Sequence, residues 1–190
     1  MNLGDIPAKI AANSPAREAL VDVPNDRRIS YGELEDRVSR LANSLRGDLG
    51  LKKGDRVAIL SRNCIQYMEI MFAAARCGLI ALPLNWRLSE PEMARLLEDG
   101  EPAVVFSSAE YQETAANLQK CVALPHWHNF ADGFDCSYEH LIAAASPDAP
   151  VWDDDVGADD PVLILYTGGT TGQSKGALHT HHSLFMGMLN

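Results

Sequence analysis

The sequence predicts an α/β fold in which a largely parallel sheet is flanked by helices. Over the first 120 residues, short runs of β-branched and apolar residues alternate with longer segments whose apolar residues recur at helical spacing. Strands that alternate with helices in this way pair side by side in a parallel sheet. A chain of 190 residues is long enough for one sizeable core, or for one domain and part of another.

Five strands and four helices are predicted in this part of the chain. The strands cover residues 18–23, 28–30, 56–60, 79–84 and 103–107. Ser30 and Glu33 have the spacing of a capping box, which predicts a helix that runs to about residue 46. Ser89 and Glu92 form a second box, for a helix that runs to about residue 98. A further helix is predicted over residues 109–120.

The remaining helix lies between the two capping boxes. Asn63 and Gln66 are predicted to cap it, and Gly78 to end it. Its apolar residues have the spacing of a core-facing stripe, so we expect them in the core rather than in a ligand pocket. They are Ile65, Met68, Met71, Phe72 and Ala75.

The charge pattern divides the chain into three parts. The net charge is −10, and residues 121–160 contain nine acidic residues and no Lys or Arg. We expect residues 1–120 to form an α/β N-terminal subdomain. Residues 121–160 are expected to form an acidic, irregular excursion with one helix near 138–145. Residues 161–190 are expected to form a strand, a phosphate loop, a return strand and the start of a helix.

Composition excludes several classes of protein. The acidic balance offers nucleic acid no basic surface. We expect no secretory signal and no transmembrane segment, because no apolar run approaches the length that spans a bilayer. The four cysteines lack metal-ligand spacing, which indicates reduced thiols in a cytoplasmic protein. They are Cys64, Cys77, Cys121 and Cys136.

The most informative segment begins with the apolar run 162–166, which predicts a buried strand. A loop rich in glycine and threonine follows, and it contains one cation and no acid. Glycines let backbone N–H groups turn toward an anion, while hydroxyls and a lysine bind phosphate oxygens. The loop is therefore a candidate polyphosphate site, and the alternative is a polar surface turn. Its candidate ligand-binding residues are Thr167, Gly168, Gly169, Thr170, Thr171, Gly172 and Lys175.

The loop is not a Walker loop. A Walker loop requires Gly-Lys followed by Ser or Thr, whereas here Lys175 follows Ser174 and precedes Gly176. No aspartate follows a second strand in the Walker manner either, which argues against an unrelated phosphotransferase. Residues 177–180 are predicted to form a return strand rather than the first turn of a helix.

The string YTGGTTGQSKG, residues 166–176, resembles the phosphate-binding signature YTSGTTGxPKG of the adenylate-forming superfamily. Two positions depart from that signature: Gly168 replaces Ser and Ser174 replaces Pro, and both changes loosen the loop. The strings GDRVAIL (54–60) and GLIALPLNWRLSEPEMARLLED (78–99) resemble the first half of an acyl-CoA synthetase. The likeness covers most of residues 15–107 and 159–190.

The resemblance implies an ATP-dependent acid–thiol ligase. Such an enzyme uses ATP and Mg²⁺ to activate a carboxylic acid as an acyl-adenylate, and then transfers the acyl group to CoA. The resemblance is also compatible with a homodimer. The superfamily's adenine-site motif, ribose-binding string and catalytic C-terminal Lys are not found in these 190 residues. We therefore expect an N-terminal fragment that is inactive alone, with no catalytic residue of its own. The alternative is a non-catalytic nucleotide-binding or interaction module that ends at Asn190.

Two further patterns give weaker expectations. His126 and His128, or the cluster of His179, His181 and His182, could bind a metal, although neither supplies three ligands on one face. In the resembling enzymes a His-Thr-His string opens a helix, which favours a structural role for the second cluster. The apolar run 184–189 is expected to present a face that favours self-association.

Overall fold

The protein contains one six-stranded sheet and a separate two-stranded hairpin. The computed structural model describes residues 2–131, 136–148, 155–167 and 175–189. In the large sheet the strand order is β6-β5-β3-β4-β7-β8, and β1 pairs with β2. The strands are β1 (Glu18–Asp22), β2 (Arg27–Ser30), β3 (Arg56–Leu60), β4 (Ile80–Pro83), β5 (Val104–Ser108), β6 (His126–Phe130), β7 (Pro161–Thr167) and β8 (Lys175–Thr180).

Seven α-helices accompany the strands within the described residues. Short 3₁₀ turns precede two of them, at Leu3–Asp5 and Ala109–Tyr111, and the second helix continues through a π-helical turn at Ser44–Asp48. None of these helices is long and apolar enough to cross a bilayer. The helices are α1 (Ile6–Ala11), α2 (Tyr31–Asn43), α3 (Ile65–Arg76), α4 (Glu90–Gly100), α5 (Gln112–Cys121), α6 (Ser137–Ala144) and α7 (His181–Leu189).

The predicted α/β class is confirmed. In the large sheet strands β3 to β7 are mutually parallel, and β8 runs antiparallel as the return strand after β7. Helices cover both faces because side chains alternate along each strand. Val57 and Ile59 of β3 join a core with α2, α3 and α6, whereas Ala58 and Leu60 join a second core with α4 and α5. The sheet is therefore the middle layer of three.

The two capping boxes are confirmed, and the third cap requires a correction. Ser30 and Glu33 bond reciprocally at the start of α2, as do Ser89 and Glu92 at the start of α4. Helix α3 begins one residue later than predicted. Its N-cap is Cys64 rather than Asn63, and the Cys64 Sγ accepts a hydrogen bond from the Tyr67 backbone N–H at 3.4 Å.

Helix α3 is buried more evenly than its spacing predicted. The expected core residues Met68, Met71 and Phe72 are only half-buried, and Met71 and Phe72 pack against the edge of the core. Ile70, Ala73 and Ala74 are fully buried instead, together with the polar residues Gln66 and Glu69. The helix lies between the sheet and α2, so residues on more than one side of it are covered.

The prediction of irregular structure in the acidic segment was wrong for residues 126–130. They form β6, which pairs in parallel with β5 over five residues and extends the sheet at one edge. The helix predicted near residues 138–145 is confirmed as α6. The composition of residues 126–129, His-Trp-His-Asn, does not predict a strand. Pairing with β5 stabilises the strand instead.

The N-terminal turn packs tightly against the C-terminal end of α3. The Arg76 guanidinium donates to the Gly4 carbonyl from Nη2 at 2.9 Å and to the Glu35 carboxylate at 2.7 Å. A Cβ atom on Gly4 would lie 2.2 Å from the Arg76 backbone nitrogen. The absence of a side chain at Gly4 therefore permits this close approach.

Replacing Gly4 by alanine is expected to lower the free energy of unfolding by roughly 1 to 3 kcal/mol, because the methyl group would displace backbone rather than a flexible side chain. Urea denaturation of the parent and the variant measures the change. Gly47→Ala is the matched control, since a Cβ there meets nothing within 4 Å. Equal loss of stability in both variants would contradict the steric explanation.

Candidate functional site

The carboxyl edge of the parallel sheet is where the predicted phosphate loop begins. Strands β3 to β7 end at this edge, and ligands of open α/β sheets bind outside the carboxyl ends of strands. Thr167 is the last residue of β7 and Lys175 is the first residue of β8. Five of the predicted site residues lie outside the described residues. They are Gly168, Gly169, Thr170, Thr171 and Gly172.

The two described ends of the loop face each other across the β7–β8 hairpin. Thr167 pairs with Lys175, and Tyr166 pairs with Gly176. Both Thr167 and Lys175 are exposed. The register therefore brings a hydroxyl and an ammonium group to one end of an antiparallel pair, at the mouth of the loop. Both groups can donate to an anion.

Tyr166 holds the end of β7 to the neighbouring layer. Its hydroxyl donates to the Asp99 carboxylate of α4 at 2.5 Å. Burial raises the pKa of Tyr166, and the Asp99 hydrogen bond and charge raise it further. Gly176 lies opposite, where a Cβ would approach the Ile164 Cγ2 to 3.0 Å. Tyr166 is thus a neutral tether that fixes the strand before the loop.

Two cations that the sequence analysis did not select lie at the same edge. The Arg62 and Arg87 guanidinium carbons lie 4.6 Å and 4.0 Å from the centre of the Trp86 ring. Arg62 also donates to the Tyr111 hydroxyl at 3.3 Å and pairs with Glu110 at 3.0 Å. These residues follow β3, β4 and β5, so the topology brings together positions up to 49 residues apart. Arg62, Trp86 and Arg87 could have been selected from the sequence, because each of them lies shortly after a predicted strand.

A cavity of about 280 Å³ opens beside this cluster. The cavity lies at the carboxyl end of β3. Strand β4 pairs with one side of β3 and β5 with the other, so this position is a topological switch point of the sheet. Ser61, Cys64, Gln66 and Ser108 contribute to its lining. Burial raises the pKa of the Cys64 thiol, so it is a poor nucleophile.

The histidines do not form a metal centre among the described residues, where no group of three metal-ligating side chains occurs. Strand alternation would put His179 and His181 on one face only if β8 continued through residue 181, but β8 ends at Thr180. His181 instead opens α7, as the His-Thr-His resemblance implied. Its Nδ1 accepts a hydrogen bond from the Leu3 backbone N–H at 3.1 Å. His126 and His128 stack at 6.5 Å on β6.

The end of the chain is partly covered. Leu184 and Phe185 of α7 are half-buried against a small core that includes Leu3 and Val162. Met188 is 68% exposed, and Met186, Leu165 and Leu178 are also exposed. Of the residues expected to form the apolar face, Met188 is exposed, whereas Leu184 and Phe185 are half-buried and the Leu189 side chain lies outside the described part of the chain.

Comparison with known proteins identifies the family. A family model described as AMP-binding enzyme matches residues 8–190. The long-chain-fatty-acid–CoA ligase FadD13 of Mycobacterium tuberculosis (strain H37Rv) is 34% identical over 183 residues, which are 96% of this chain and 36% of that protein. A feruloyl-CoA synthase of a Streptomyces species is 36% identical over 190 residues, or 99% of this chain and 35% of that protein. The chain thus spans about a third of the length of these relatives.

Solved structures agree with this result. The N-terminal domain of FACL13 from Mycobacterium tuberculosis superimposes with a TM-score of 0.83 at 32% identity, over 95% of this chain and 44% of that chain. ATP-bound MatB from Rhodopseudomonas palustris gives a TM-score of 0.80 at 31% identity, over 100% of this chain and 37% of that chain. The chain has the fold found in the N-terminal region of acyl-CoA synthetases, and it belongs to the AMP-binding enzyme family.

Proposed function

We propose that this chain is the N-terminal part of an ATP-dependent acid–CoA ligase. In the proposed reaction a carboxylate attacks the α-phosphate of ATP and releases pyrophosphate. CoA thiol then displaces AMP from the acyl-adenylate and forms the thioester. The observation that carries the proposal is the β7–β8 hairpin, which presents Thr167 and Lys175 side by side at the carboxyl edge of a parallel sheet.

The chemistry of the hairpin suits the first half-reaction. Negative charge accumulates on pyrophosphate as it leaves, and fixed hydroxyl, N–H and ammonium donors stabilise that charge. Thr167, Thr170, Thr171 and Lys175 are the proposed donors, and Gly168, Gly169 and Gly172 are proposed to shape the backbone around the phosphates. Mg²⁺ bound with ATP would neutralise part of the same charge. No acid interrupts residues 167–176, so the loop itself adds no repulsion.

The acid substrate is proposed only as a carboxylic acid. The relatives named for long-chain fatty acids and for ferulic acid differ in this respect. We also propose a cytoplasmic location, which is supported by four cysteines that form no disulfide: Cys64, Cys77, Cys121 and Cys136.

The test is carboxylate-dependent exchange of labelled pyrophosphate into ATP. The purified 190-residue chain is expected to give no exchange, because a misplaced α-phosphate costs orders of magnitude in rate. A full-length enzyme that contains this segment is expected to exchange in the presence of its acid and to form a CoA thioester when CoA is added.

Two outcomes would contradict the proposal. Robust exchange by the 190-residue chain would show that it needs no further domain. Absence of exchange by the full-length enzyme with a broad panel of fatty and aryl acids, while ATP still binds, would favour the alternative of a non-catalytic nucleotide-binding module.

A further inference from the structure

A buried hydrogen bond joins the two ends of the chain. The Leu3 backbone N–H donates to the His181 Nδ1 at 3.1 Å, across 178 positions of sequence. His181 is 1% exposed and Leu3 is 6% exposed. The bond therefore lies in the interior, where a lost partner is costly because water cannot replace it.

The bond fixes the ionisation state of the imidazole. Nδ1 accepts a hydrogen bond from the Leu3 N–H, so it carries no proton of its own, and the single proton of the neutral ring is on Nε2. Nε2 is buried and has no hydrogen-bond partner within the described part of the chain. A second proton on Nδ1 would oppose the Leu3 N–H directly. Only the neutral ring can make this contact.

The N-terminal partner of His181 is itself held firmly. The Asn2 side-chain oxygen caps the 3₁₀ turn by accepting from the Gly4 N–H at 2.8 Å, and the Asn2 amide donates to the Arg76 carbonyl at 3.2 Å. Arg76 in turn binds the Gly4 carbonyl and the Glu35 carboxylate. Residues 2–4 are thereby anchored to α2 and α3.

His181 also lies at the point where β8 becomes α7. Its backbone N–H donates to the Asp160 carbonyl at 3.2 Å, directly before β7, and the next N–H donates to the Ala158 carbonyl at 2.8 Å. Asp160 pairs with Lys53 at 2.7 Å. The imidazole thus connects the base of the β7–β8 hairpin to the anchored N-terminal turn. Lys175 lies six residues away along β8, or about 20 Å.

We propose that His181 is a positioning residue for the phosphate loop, and that its neutral imidazole holds the β7–β8 hairpin in place through the Leu3 N–H. This inference rests on the proposed function only for the identity of the ligand. The hydrogen bond sets the position of β8 at its base, and β8 carries Lys175 at its other end. The N-terminal turn is therefore part of the machinery that places the loop.

Burial favours the neutral ring of His181, and it outweighs the effect of the surrounding charges. Burial lowers the pKa of His181 from its ordinary value of 6.5, whereas the carboxylates of Asp160 and Asp5 raise it and the Lys53 ammonium group lowers it. The neutral form is thus favoured in the folded state. Its contribution to the free energy of unfolding is fully present above about pH 6.5. The contribution is lost as the pH falls from there toward the lower pKa of the folded protein.

The first experiment compares two variants of the 190-residue chain. In His181→Asn the side-chain Oδ1 occupies the position of Nδ1 and accepts a hydrogen bond at every pH. In His181→Leu there is no acceptor. Hydrogen-exchange protection of the Leu3 amide, corrected for intrinsic exchange rates, is measured by NMR between pH 8 and pH 5. We expect His181→Leu to lose about tenfold in protection at pH 8, and His181→Asn to retain most of it.

The pH dependence of Leu3 amide protection distinguishes a hydrogen bond to the neutral imidazole from simple packing of the ring. In the parent chain, protection of Leu3 is expected to fall as the pH decreases below about 6.5. In His181→Asn it is expected to stay nearly constant. His182→Asn is the control, because the neighbouring His182 is exposed, and it should follow the parent profile. Equal loss in His181→Asn and His181→Leu, or unchanged protection in His181→Leu, would overturn the role of the hydrogen bond.

The second experiment measures binding of Mg·ATP and of Mg·pyrophosphate to the same chains at pH 8. His181→Leu is expected to weaken binding by about 3- to 10-fold, and His181→Asn to restore it to within about twofold. If the parent chain binds neither probe, the proposed function of the loop fails while the exchange result still decides the hydrogen bond. If the parent binds and His181→Leu binds equally well, the positioning role is refuted.

Discussion

Replacing Arg37 by methionine is expected to lower the free energy of unfolding by about 3 to 5 kcal/mol, because it leaves two carboxylates buried without their cation. Arg37 of α2 donates to Glu69 at 2.6 Å and 3.0 Å, and to Glu139 at 2.7 Å and 3.0 Å. The Glu69 side chain is 0% exposed and that of Glu139 is 11% exposed. Methionine retains the apolar stem, so packing losses are small and the charge is what changes.

The environment of Arg37 explains why this change matters more than most. Burial acts to lower the pKa of Arg37, but its hydrogen bonds to Glu139 and Glu69 outweigh burial and leave the pKa raised. Tyr138 also donates to Glu69 at 2.6 Å, and burial raises the pKa of its hydroxyl. The cluster connects α2, α3 and α6, so a single guanidinium group binds carboxylates from two neighbouring helices.

Chemical denaturation monitored by circular dichroism measures the loss in Arg37→Met. Asp36→Ala is the matched control on the same helix, because it removes the partly exposed Arg40–Asp36 pair and should cost at most about 0.5 kcal/mol. A double variant, Arg37→Met with Glu69→Leu, is expected to recover part of the loss, since it removes the fully buried charge. Similar stability of Arg37→Met and Asp36→Ala would show that the cluster does not contribute as described.

Local signals in the sequence predicted the strands and caps well. Ser30 with Glu33 and Ser89 with Glu92 determine helix starts through contacts three residues apart, which a sequence shows directly. Strand β3 was predicted with its observed bounds because four of its five residues are apolar and two of these, Val57 and Ile59, are β-branched. The parallel class followed from the alternation of such signals.

Features that depend on distant partners could not be predicted. Strand β6 contains two histidines, a tryptophan and an asparagine, and it becomes a strand because β5 offers it an unpaired edge. Cys64 caps α3 although cysteine is not a preferred capping residue. The Arg37 cluster joins residues 32 and 102 positions apart, a distance that helical spacing does not reveal.

In the candidate site, as in the fold, local features were predicted from the sequence and contacts between distant residues were not. The hairpin around the loop followed from the apolar run before it and the return strand after it, and its register places Thr167 opposite Lys175. Arg62, Trp86 and Arg87 were missed, because only the strand order brings the ends of β3 and β4 to one edge. The buried bond between Leu3 and His181 was also missed, since no local pattern links residues 178 positions apart.

In a full-length ligase that contains this segment, Lys175→Ala is expected to slow adenylation by about 30- to 1000-fold, which corresponds to roughly 2 to 4 kcal/mol. Lys175 is the only formal cation in residues 161–190. The proposed contact of Lys175 with the β- and γ-phosphates would strengthen as pyrophosphate departs, so it would stabilise the transition state more than bound ATP.

Thioester formation from preformed acyl-adenylate no longer involves the β- and γ-phosphates, so Lys175→Ala should leave that half-reaction nearly unchanged. Pyrophosphate exchange measures the first step, and thioester formation from synthetic acyl-adenylate measures the second. Lys120→Ala is the control, because Lys120 is an exposed lysine on α5 that contacts Asn117; both of its rates should match those of the parent. Equal adenylation rates in Lys175→Ala and the parent would mean that Lys175 is only a solvated residue, with less than about 0.5 kcal/mol of effect on stability.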